Sequence, residues 1–167
     1  LRMGDPMLED TDVGPVIDTQ SADRIMKWIE DALGEGATLL TGGNRDGSLI
    51  EPTILTDVPP GCDVSKSEVF GPVVHVERYR DFDEALRAVN DSRYGLQAGV
   101  FTKDIKKAFK AYGALDVGGV VVNDYPSFRV ENMPYGGVKD SGVGKEGVRY
   151  AIEEMTELKL MVVNLNY

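Results

Sequence analysis

The spacing of hydrophobic residues near the start of the chain predicts an amphipathic helix. Its apolar positions recur at the period of an α-helix and are Ile25, Ile29, Ala32 and Leu33. Either Thr19 or Ser21 is expected to cap the start of this helix, and Gly34 and Gly36 to end it. Prolines and glycines then interrupt residues 44–66, which predicts short strands and connections there.

The middle of the chain alternates strand patterns with helix patterns. Three runs predict strands at residues 73–79, 97–101 and 117–122, and the last of them is apolar on both faces, as a buried parallel strand is. Asp81 and Glu84 form a capping-box pattern that opens a helix after the first of these strands. A second helix, capped by Thr102, has apolar side chains at helical spacing: Ile105, Ala108, Phe109 and Tyr112. This order predicts an α/β fold with a parallel βαβαβ sheet and flanking helices.

The last part of the chain combines a long connection with two further elements. Residues 123–145 are rich in proline, glycine and aromatic residues, and residues 147–154 have a helical pattern. Residues 158–163 predict a final strand, with no later element in the chain to pair with it. Because no linker, repeat or low-complexity tract is apparent, residues 1–167 are predicted to form one structural unit.

Composition and charge narrow the classes of function. The chain has 167 residues, 42% hydrophobic and 28% charged, which is typical of a soluble globular domain. A formal net charge of −10 argues against nucleic acid and anionic membranes as partners. No apolar run reaches the roughly 20 residues of a transmembrane helix. A single cysteine excludes an internal disulfide, so a cytoplasmic location is expected.

Two patterns resemble catalytic or nucleotide-binding motifs but lack the surroundings that such motifs need. Residues 142–147 match G-x-G-x-x-G, yet no βαβ unit surrounds them, so a bend before the last helix is the better interpretation. Cys62 lies in an acidic, proline-rich turn that would raise its thiol pKa, which disfavours a nucleophile. With His75 as the single histidine, predicted inside a strand, no metal site is expected.

The loop that follows the strand at residues 117–122 is a candidate ligand site on position alone. In open parallel sheets, ligands bind beyond the carboxyl ends of the strands. Residues 123–129 follow such an end and combine aromatic with polar side chains. The alternative interpretation is a surface loop whose aromatic rings pack on one another.

Motifs spread over nearly the whole chain resemble the NAD(P)-dependent aldehyde dehydrogenases. They occur in the order found in that family. Each motif alone is weak evidence for the family, but the whole set is specific to it. The matching segments are residues 4–6, 13–17, 51–53, 67–73, 90, 94–96, 122–123, 134–147 and 156–159. The resemblance implies the catalytic-domain fold of that family.

The resemblance also implies an enzyme that oxidises an aldehyde to a carboxylic acid with NAD or NADP. In this family a cysteine thiolate adds to the aldehyde, hydride passes to the nicotinamide, and the acyl-enzyme is hydrolysed with help from a glutamate base. Both residues lie upstream of the segments matched here, and Cys62 does not correspond to that cysteine. No catalytic residue is therefore expected within residues 1–167, and this stretch alone is expected to be inactive.

Residue by residue, the resemblance implies two parts of a binding site. Glu68 corresponds to the glutamate that accepts hydrogen bonds from the nicotinamide-ribose hydroxyls, and Phe70 to the aromatic residue beside the nicotinamide. Phe128 lies in the substrate-channel loop. The neighbouring Arg129 suggests a small anionic or hydroxylated aldehyde, such as lactaldehyde, glyceraldehyde-3-phosphate or phosphonoacetaldehyde. The alternative for Arg129 is a surface ion pair with Glu131.

The resemblance further implies a homo-oligomer, because in this family the C-terminal strand, here residues 158–163, pairs with a neighbouring subunit. Lys145 stands where many members have arginine, so bidentate pairing is not expected there.

Two other functions stay open. One is an acylating or phosphate-forming semialdehyde dehydrogenase of the same superfamily, and the other is a non-catalytic assembly module. The coding sequence upstream of Leu1 would distinguish an enzyme from an assembly module, since a cysteine preceded by glycine and glutamine is expected there in an enzyme.

Overall fold

A computed structural model describes residues 1–166, which form two compact units divided after Arg78. Each unit has its own cluster of buried hydrophobic side chains. The sequence predicted a single unit instead. The boundary falls in the charged segment 77–81, which contains no Gly, Pro or Ser, the residues that usually mark a linker in a sequence.

The first unit consists of helices and short strands. In chain order they are α1 (Thr19–Gly34), β1 (Thr38–Thr41), β2 (Arg45–Asp46), β3 (Leu49–Ile50), β4 (Thr53–Thr56), α2 (Asp63–Lys66) and β5 (Val73–Val76). Strand β4 lies in the middle of a sheet, antiparallel to β1 and parallel to β5. Strands β2 and β3 form a separate two-stranded antiparallel ladder.

The cap of α1 differs from the prediction. Asp18 is the N-cap, and its carboxylate accepts a 2.6 Å hydrogen bond from the Ser21 N–H, so neither Thr19 nor Ser21 has the capping role. This hydrogen bond lowers the pKa of Asp18. The predicted apolar stripe is confirmed, because Ile25 and Ile29 are buried and pack in one cluster with residues of β3 and β4.

The second unit begins with a capped helix. In chain order its elements are α3 (Phe82–Asn90), β6 (Tyr94–Gly95), β7 (Gln97–Val100), α4 (Ile105–Ala114), β8 (Gly119–Val122), β9 (Val138–Lys139) and α5 (Val148–Glu154). The Asp81 carboxylate accepts the Glu84 N–H at 2.9 Å, and the Glu84 carboxylate accepts the Arg80 N–H at 2.8 Å. The predicted capping box therefore forms with one difference: the Glu84 carboxylate binds the N–H of Arg80, the residue before the N-cap, and not that of the N-cap Asp81.

Strands β7 and β8 are parallel, with Gln97 opposite Gly119 and Val100 opposite Val122, and α4 connects them. This βαβ unit is the second half of the predicted βαβαβ arrangement. The strand predicted to begin that arrangement is β5, which lies in the first unit and pairs with β4. A run of β-branched residues indicates a strand but does not specify its partner, so the continuous five-element sheet stays a prediction.

The buried face of α4 agrees with the prediction only at Ala108. Asp104 rather than Thr102 is the N-cap, and the buried side chains are those of Ala108 and Ala111. Within the described residues the larger side chains, Ile105, Phe109 and Tyr112, are about two-thirds exposed or more. Helical spacing identified the apolar residues, but α4 turns its small residues toward α3 and β8, where the backbones lie close together.

Residues 156–166 form neither helix nor strand in the structure, so the strand predicted at residues 158–163 is not observed in the single chain. Leu158 and Met161 are almost fully exposed. A β-strand is defined by its ladder of hydrogen bonds, and this segment has no ladder partner among the described residues. Its pairing with a second copy stays a prediction.

Candidate functional site

The loop between α2 and β5, residues 67–72, presents Glu68 and Phe70 to solvent. Both side chains are exposed, that of Phe70 by 74%. Phe70 has a φ of +54°, a left-handed conformation that bulky residues rarely adopt. Strain of this kind is stored where the surrounding structure enforces it, and it clusters at ligand-binding sites.

The rest of this loop is anchored to the core. Val69 packs against the buried cluster of the first unit. Gly71 lies so close to α1 that an added Cβ would be 2.7 Å from the Cδ1 atom of Ile25. The Pro72 carbonyl accepts a hydrogen bond of 2.8 Å from the N–H of Thr53 on β4. The loop therefore alternates anchored residues with the two exposed side chains.

The loop that follows β8 begins with a residue in the left-handed conformation, which asparagine tolerates. Asn123 has a φ of +61°, and its side-chain oxygen accepts a hydrogen bond of 2.8 Å from the Thr102 N–H. Tyr125 packs edge-to-face against Phe101, with the ring centroids 6.2 Å apart. Phe128 is 49% exposed. The ring that Tyr125 contacts lies outside residues 123–129, just after β7, whereas Phe128 is open to solvent. A ligand-binding role of this loop stays a prediction.

Arg129 lies over the ring of Tyr135, with 4.9 Å between the guanidinium carbon and the ring centroid. Its Nη2 atom is 3.0 Å from Oε2 of Glu146 and 3.9 Å from Oε2 of Glu131. The ion pair expected as the alternative role of Arg129 therefore exists, but its nearer partner is Glu146. The side chain of Arg129 is 41% exposed, so solvent and small solutes can reach the guanidinium.

The glycine-rich segment at residues 142–147 connects β9 to α5. Gly142, Gly144 and Gly147 all have positive φ values. The Lys145 ammonium donates hydrogen bonds to the carbonyls of Gly136 at 2.9 Å and Gly137 at 3.0 Å. These left-handed glycines bend the chain directly before α5, in agreement with the bend predicted from the sequence.

The backbone brings Glu146 to Arg129 through a short antiparallel bridge. The Tyr135 N–H donates to the Glu146 carbonyl at 3.2 Å, and the Glu146 N–H donates to the Tyr135 carbonyl at 2.6 Å. An open cavity of about 590 Å³ adjoins this bridge and is lined in part by Tyr135, Lys145 and Glu146. Sequence reasoning missed Tyr135 and Glu146 as neighbours of Arg129, because nothing local signals a bridge that spans a glycine-rich segment.

Cys62 is not placed as a nucleophile. Its side chain is 5% exposed, and its thiol donates to Oε2 of Glu35 at 3.4 Å. Burial first, and then Glu35, raise the thiol pKa. The sequence predicted this direction correctly but attributed it to the acidic turn. A thiol kept neutral and away from solvent is a poor nucleophile.

Two further features are absent from residues 1–166. No group of three or more His, Cys, Asp or Glu side chains is arranged to hold a metal ion. None of the helices in this range has the length and apolar character needed to cross a membrane.

Comparison with known proteins decides the family. A model of the aldehyde dehydrogenase family matches residues 1–161. The chain belongs to the aldehyde dehydrogenase family. It is 52% identical over 165 residues to a 3-sulfolactaldehyde dehydrogenase of Priestia aryabhattai, an alignment that covers 99% of this chain and 35% of that protein. The chain thus spans about a third of the length of the curated relatives it matches.

Solved aldehyde dehydrogenases share the fold. One is aldehyde dehydrogenase 21 of Physcomitrella patens in complex with the reaction product succinate, with a TM-score of 0.91 and 51% identity over 94% of this chain and 33% of that one. Another is the glyceraldehyde-3-phosphate dehydrogenase GapN of Methanocaldococcus jannaschii complexed with NADP, with a TM-score of 0.89 and 45% identity over 95% of this chain and 34% of that one. This aldehyde dehydrogenase segment therefore has the mixed α/β fold of its relatives.

The structure distributes the predicted site residues of this aldehyde dehydrogenase chain between its two units. Glu68 and Phe70 belong to the first unit, and Phe128 and Arg129 to the second. Glu68 and Phe70 share one loop, and Phe128 and Arg129 share another. Phe70 is 74% exposed, Phe128 is 49% exposed, and the side chain of Arg129 is 41% exposed. Their roles as binding residues remain predictions.

Proposed function

We propose that this chain supplies part of the active site of an NAD(P)-dependent dehydrogenase that oxidises an aldehyde to a carboxylic acid. The membership in the aldehyde dehydrogenase family supports this function. We further propose that the catalytic cysteine and the general base lie outside residues 1–167, since the one cysteine of this chain is buried with a raised pKa. These residues by themselves are then expected to show no aldehyde oxidation.

The observation that carries the cofactor assignment is the exposed pair Glu68 and Phe70, of which Phe70 has a left-handed backbone. Among residues 1–166, no donor or cation hydrogen-bonds the Glu68 carboxylate, which leaves both oxygens free for ribose hydroxyls. The exposed ring of Phe70 offers an apolar surface to a flat heterocycle. These residues fit a nicotinamide nucleotide, which accepts a hydride from the substrate when bound.

For the substrate, we propose a small aldehyde that carries an anionic or hydroxyl group, bound by Arg129 beside Phe128. The relatives' names support this class: they specify sulfolactaldehyde, glyceraldehyde-3-phosphate and a bound succinate. The planar guanidinium suits carboxylate, sulfonate and phosphate groups alike. Because Glu146 already pairs with Arg129, an incoming anion must compete with that carboxylate or share the guanidinium with it.

The test is the substitution Arg129→Ala in the full-length enzyme. It is expected to raise KM about tenfold or more for an anionic aldehyde, the scale of one lost charged hydrogen bond, and by less than about twofold for a neutral aldehyde of similar size. Steady-state kinetics with both substrates and both cofactors measure the effect. Arg149→Ala is the matched control, because Arg149 is an exposed arginine of the same unit whose partner is Glu153. Equal effects of Arg129→Ala on both aldehydes would refute the substrate class.

A further inference from the structure

Arg24 extends from α1 to the loop that carries Glu68 and Phe70. Its Nη2 atom donates a hydrogen bond of 2.9 Å to the carbonyl oxygen of Val69, the residue between those two. The guanidinium carbon also lies 4.4 Å from the ring centroid of Trp28, one helical turn further along α1. Arg24 and Trp28 are both half-buried. The contact joins residues 45 positions apart in the sequence.

The guanidinium of Arg24 has no carboxylate partner among residues 1–166. Its sequence neighbour Asp23 pairs with Arg45 instead. The contacts of Arg24 are therefore a carbonyl at its edge and an aromatic ring at its face, which together orient a planar cation. An arginine held in this way fixes the position of a backbone carbonyl and adds no ion pair.

The carbonyl that Arg24 holds adjoins the strained residue of the loop. A left-handed backbone at Phe70 costs free energy, so it persists only where neighbouring contacts enforce it. Arg24 binds the residue before Phe70, and the close approach of Gly71 to Ile25 fixes the residue after it. Both flanks of Phe70 thus lie against the same helix, α1, whereas the Glu68 and Phe70 side chains are exposed.

We propose that Arg24, stacked on Trp28, is a positioning residue for the nicotinamide nucleotide. By holding the Val69 carbonyl it keeps Phe70 in its left-handed conformation and Glu68 directed at the cofactor. This role rests on the proposed function of the loop. Arg24 itself contacts neither cofactor nor substrate, so its removal changes cofactor affinity through Glu68 and Phe70 and leaves aldehyde affinity unchanged.

The experiment measures the dissociation constant of the reduced cofactor by fluorescence titration, and the KM values of cofactor and aldehyde, in the full-length enzyme. Arg24→Leu is expected to raise the cofactor dissociation constant about fivefold to tenfold, which is less than the loss of a direct hydrogen bond to a charged group because Arg24 acts on the cofactor only through the loop. The KM of the aldehyde is expected to stay within about twofold. Lys27→Leu is the matched control, because Lys27 lies on the same helix but pairs with Asp31 and does not contact the loop.

A double-mutant cycle with Glu68→Gln separates positioning from general destabilisation. If Arg24 acts through Glu68, the effect of Arg24→Leu on cofactor affinity shrinks in the Glu68→Gln background. Additive effects, or a loss of aldehyde and cofactor affinity together with a lowered Tm, would overturn the positioning role. Arg24→Lys keeps a cationic donor without the planar stack and is expected to give an intermediate dissociation constant. It replaces Arg24→Leu in the cycle if the leucine variant does not fold.

The same data distinguish failure of the inference from failure of the proposed function. If Glu68→Gln leaves cofactor affinity unchanged, then the loop does not bind the cofactor and both proposals are wrong. If Glu68→Gln weakens cofactor binding while Arg24→Leu does not, only the positioning role of Arg24 is wrong.

Discussion

The thiol of Cys62 illustrates how a single residue acquires its chemistry from its neighbours. In the sequence it lies in a turn with two prolines, a glycine and an aspartate. In the structure it packs with the core of the first unit and donates to Glu35, a residue at the end of α1. Burial and this carboxylate both favour the neutral thiol.

The raised pKa of Cys62 predicts a pH dependence of stability. In the unfolded chain the thiol ionises near its ordinary pKa of about 8.5, whereas in the folded chain it stays protonated to higher pH. The unfolded state therefore binds fewer protons as the pH rises above about 8.5, and the free energy of unfolding falls. Urea denaturation under reducing conditions at neutral and alkaline pH measures this loss.

The control for this prediction is Cys62→Ala, in which the thiol contribution is absent while the other titrating groups remain. The decline of stability with rising pH is expected to be shallower in this variant than in the wild type. Parallel declines in the two proteins would mean that the pKa of Cys62 is the same in the folded and unfolded chain.

Arg129 shows the same dependence on neighbours at a candidate site. The planar guanidinium of Arg129 made it a candidate ligand for an anion in the sequence. Glu131, two positions further along the chain, was the ion-pair partner expected as the alternative. The nearer partner, Glu146, is 17 positions away and is delivered by the Tyr135–Glu146 bridge. Such a pairing depends on the path of the backbone, which the local sequence does not specify.

At the scale of elements, capping motifs were predictable where several signals agreed. The carboxylates of Asp81 and Glu84 bind N–H groups at the start of α3. For α1 and α4 the prediction chose a nearby hydroxyl, whereas aspartates, Asp18 and Asp104, are the caps. Ser, Thr and Asp rank similarly as caps, so the backbone geometry of the first turn decides which one is used.

The cap of α3 yields a prediction of stability. Asp81→Ala leaves the Glu84 N–H without its side-chain acceptor and is expected to destabilise the protein by about 1 kcal/mol. The change is measured as a shift in the urea midpoint at unchanged slope. Asp81→Asn, which retains a capping oxygen, is the control and is expected to be close to the wild type. Equal losses in the two variants would indicate that the cap is not the cause.

The whole molecule leaves its C-terminal segment exposed. The side chains of residues 158–163 are exposed, most of them are apolar, and the segment has no ladder partner among the described residues. Unpaired apolar segments of high β-propensity are normally covered by another chain or element. The proposed occupant is a second copy of this protein.

We expect the protein to be oligomeric at micromolar concentration and the substitution Leu160→Pro to shift it toward the monomer. Proline removes a backbone donor and does not fit a paired strand. Leu160→Ala, which keeps the backbone donor, is the control and should retain more of the oligomer. Light scattering coupled to size-exclusion chromatography measures both variants. A monomeric wild-type protein would contradict the prediction.

The sequence by itself determined the alternation of helices and strands, the core positions Ile25 and Ile29, the bend at the glycine-rich segment, and the family. These features depend on local conformational propensity, on the period of the hydrophobic residues and on the order of the motifs, all of which can be read from the sequence. The family motifs also single out Glu68 and Phe70, whereas their exposure and the left-handed backbone of Phe70 follow from the structure.

Only the tertiary structure decided which strands pair, which face of α4 is buried, that the chain divides at Arg78, and which residues surround Arg129 and Val69. Each of these features joins residues far apart in the sequence. The free energy of such a contact depends on distances and desolvation that exist only after folding, so local patterns do not encode it. The contact between Arg24 and Val69, across 45 positions, is of this kind.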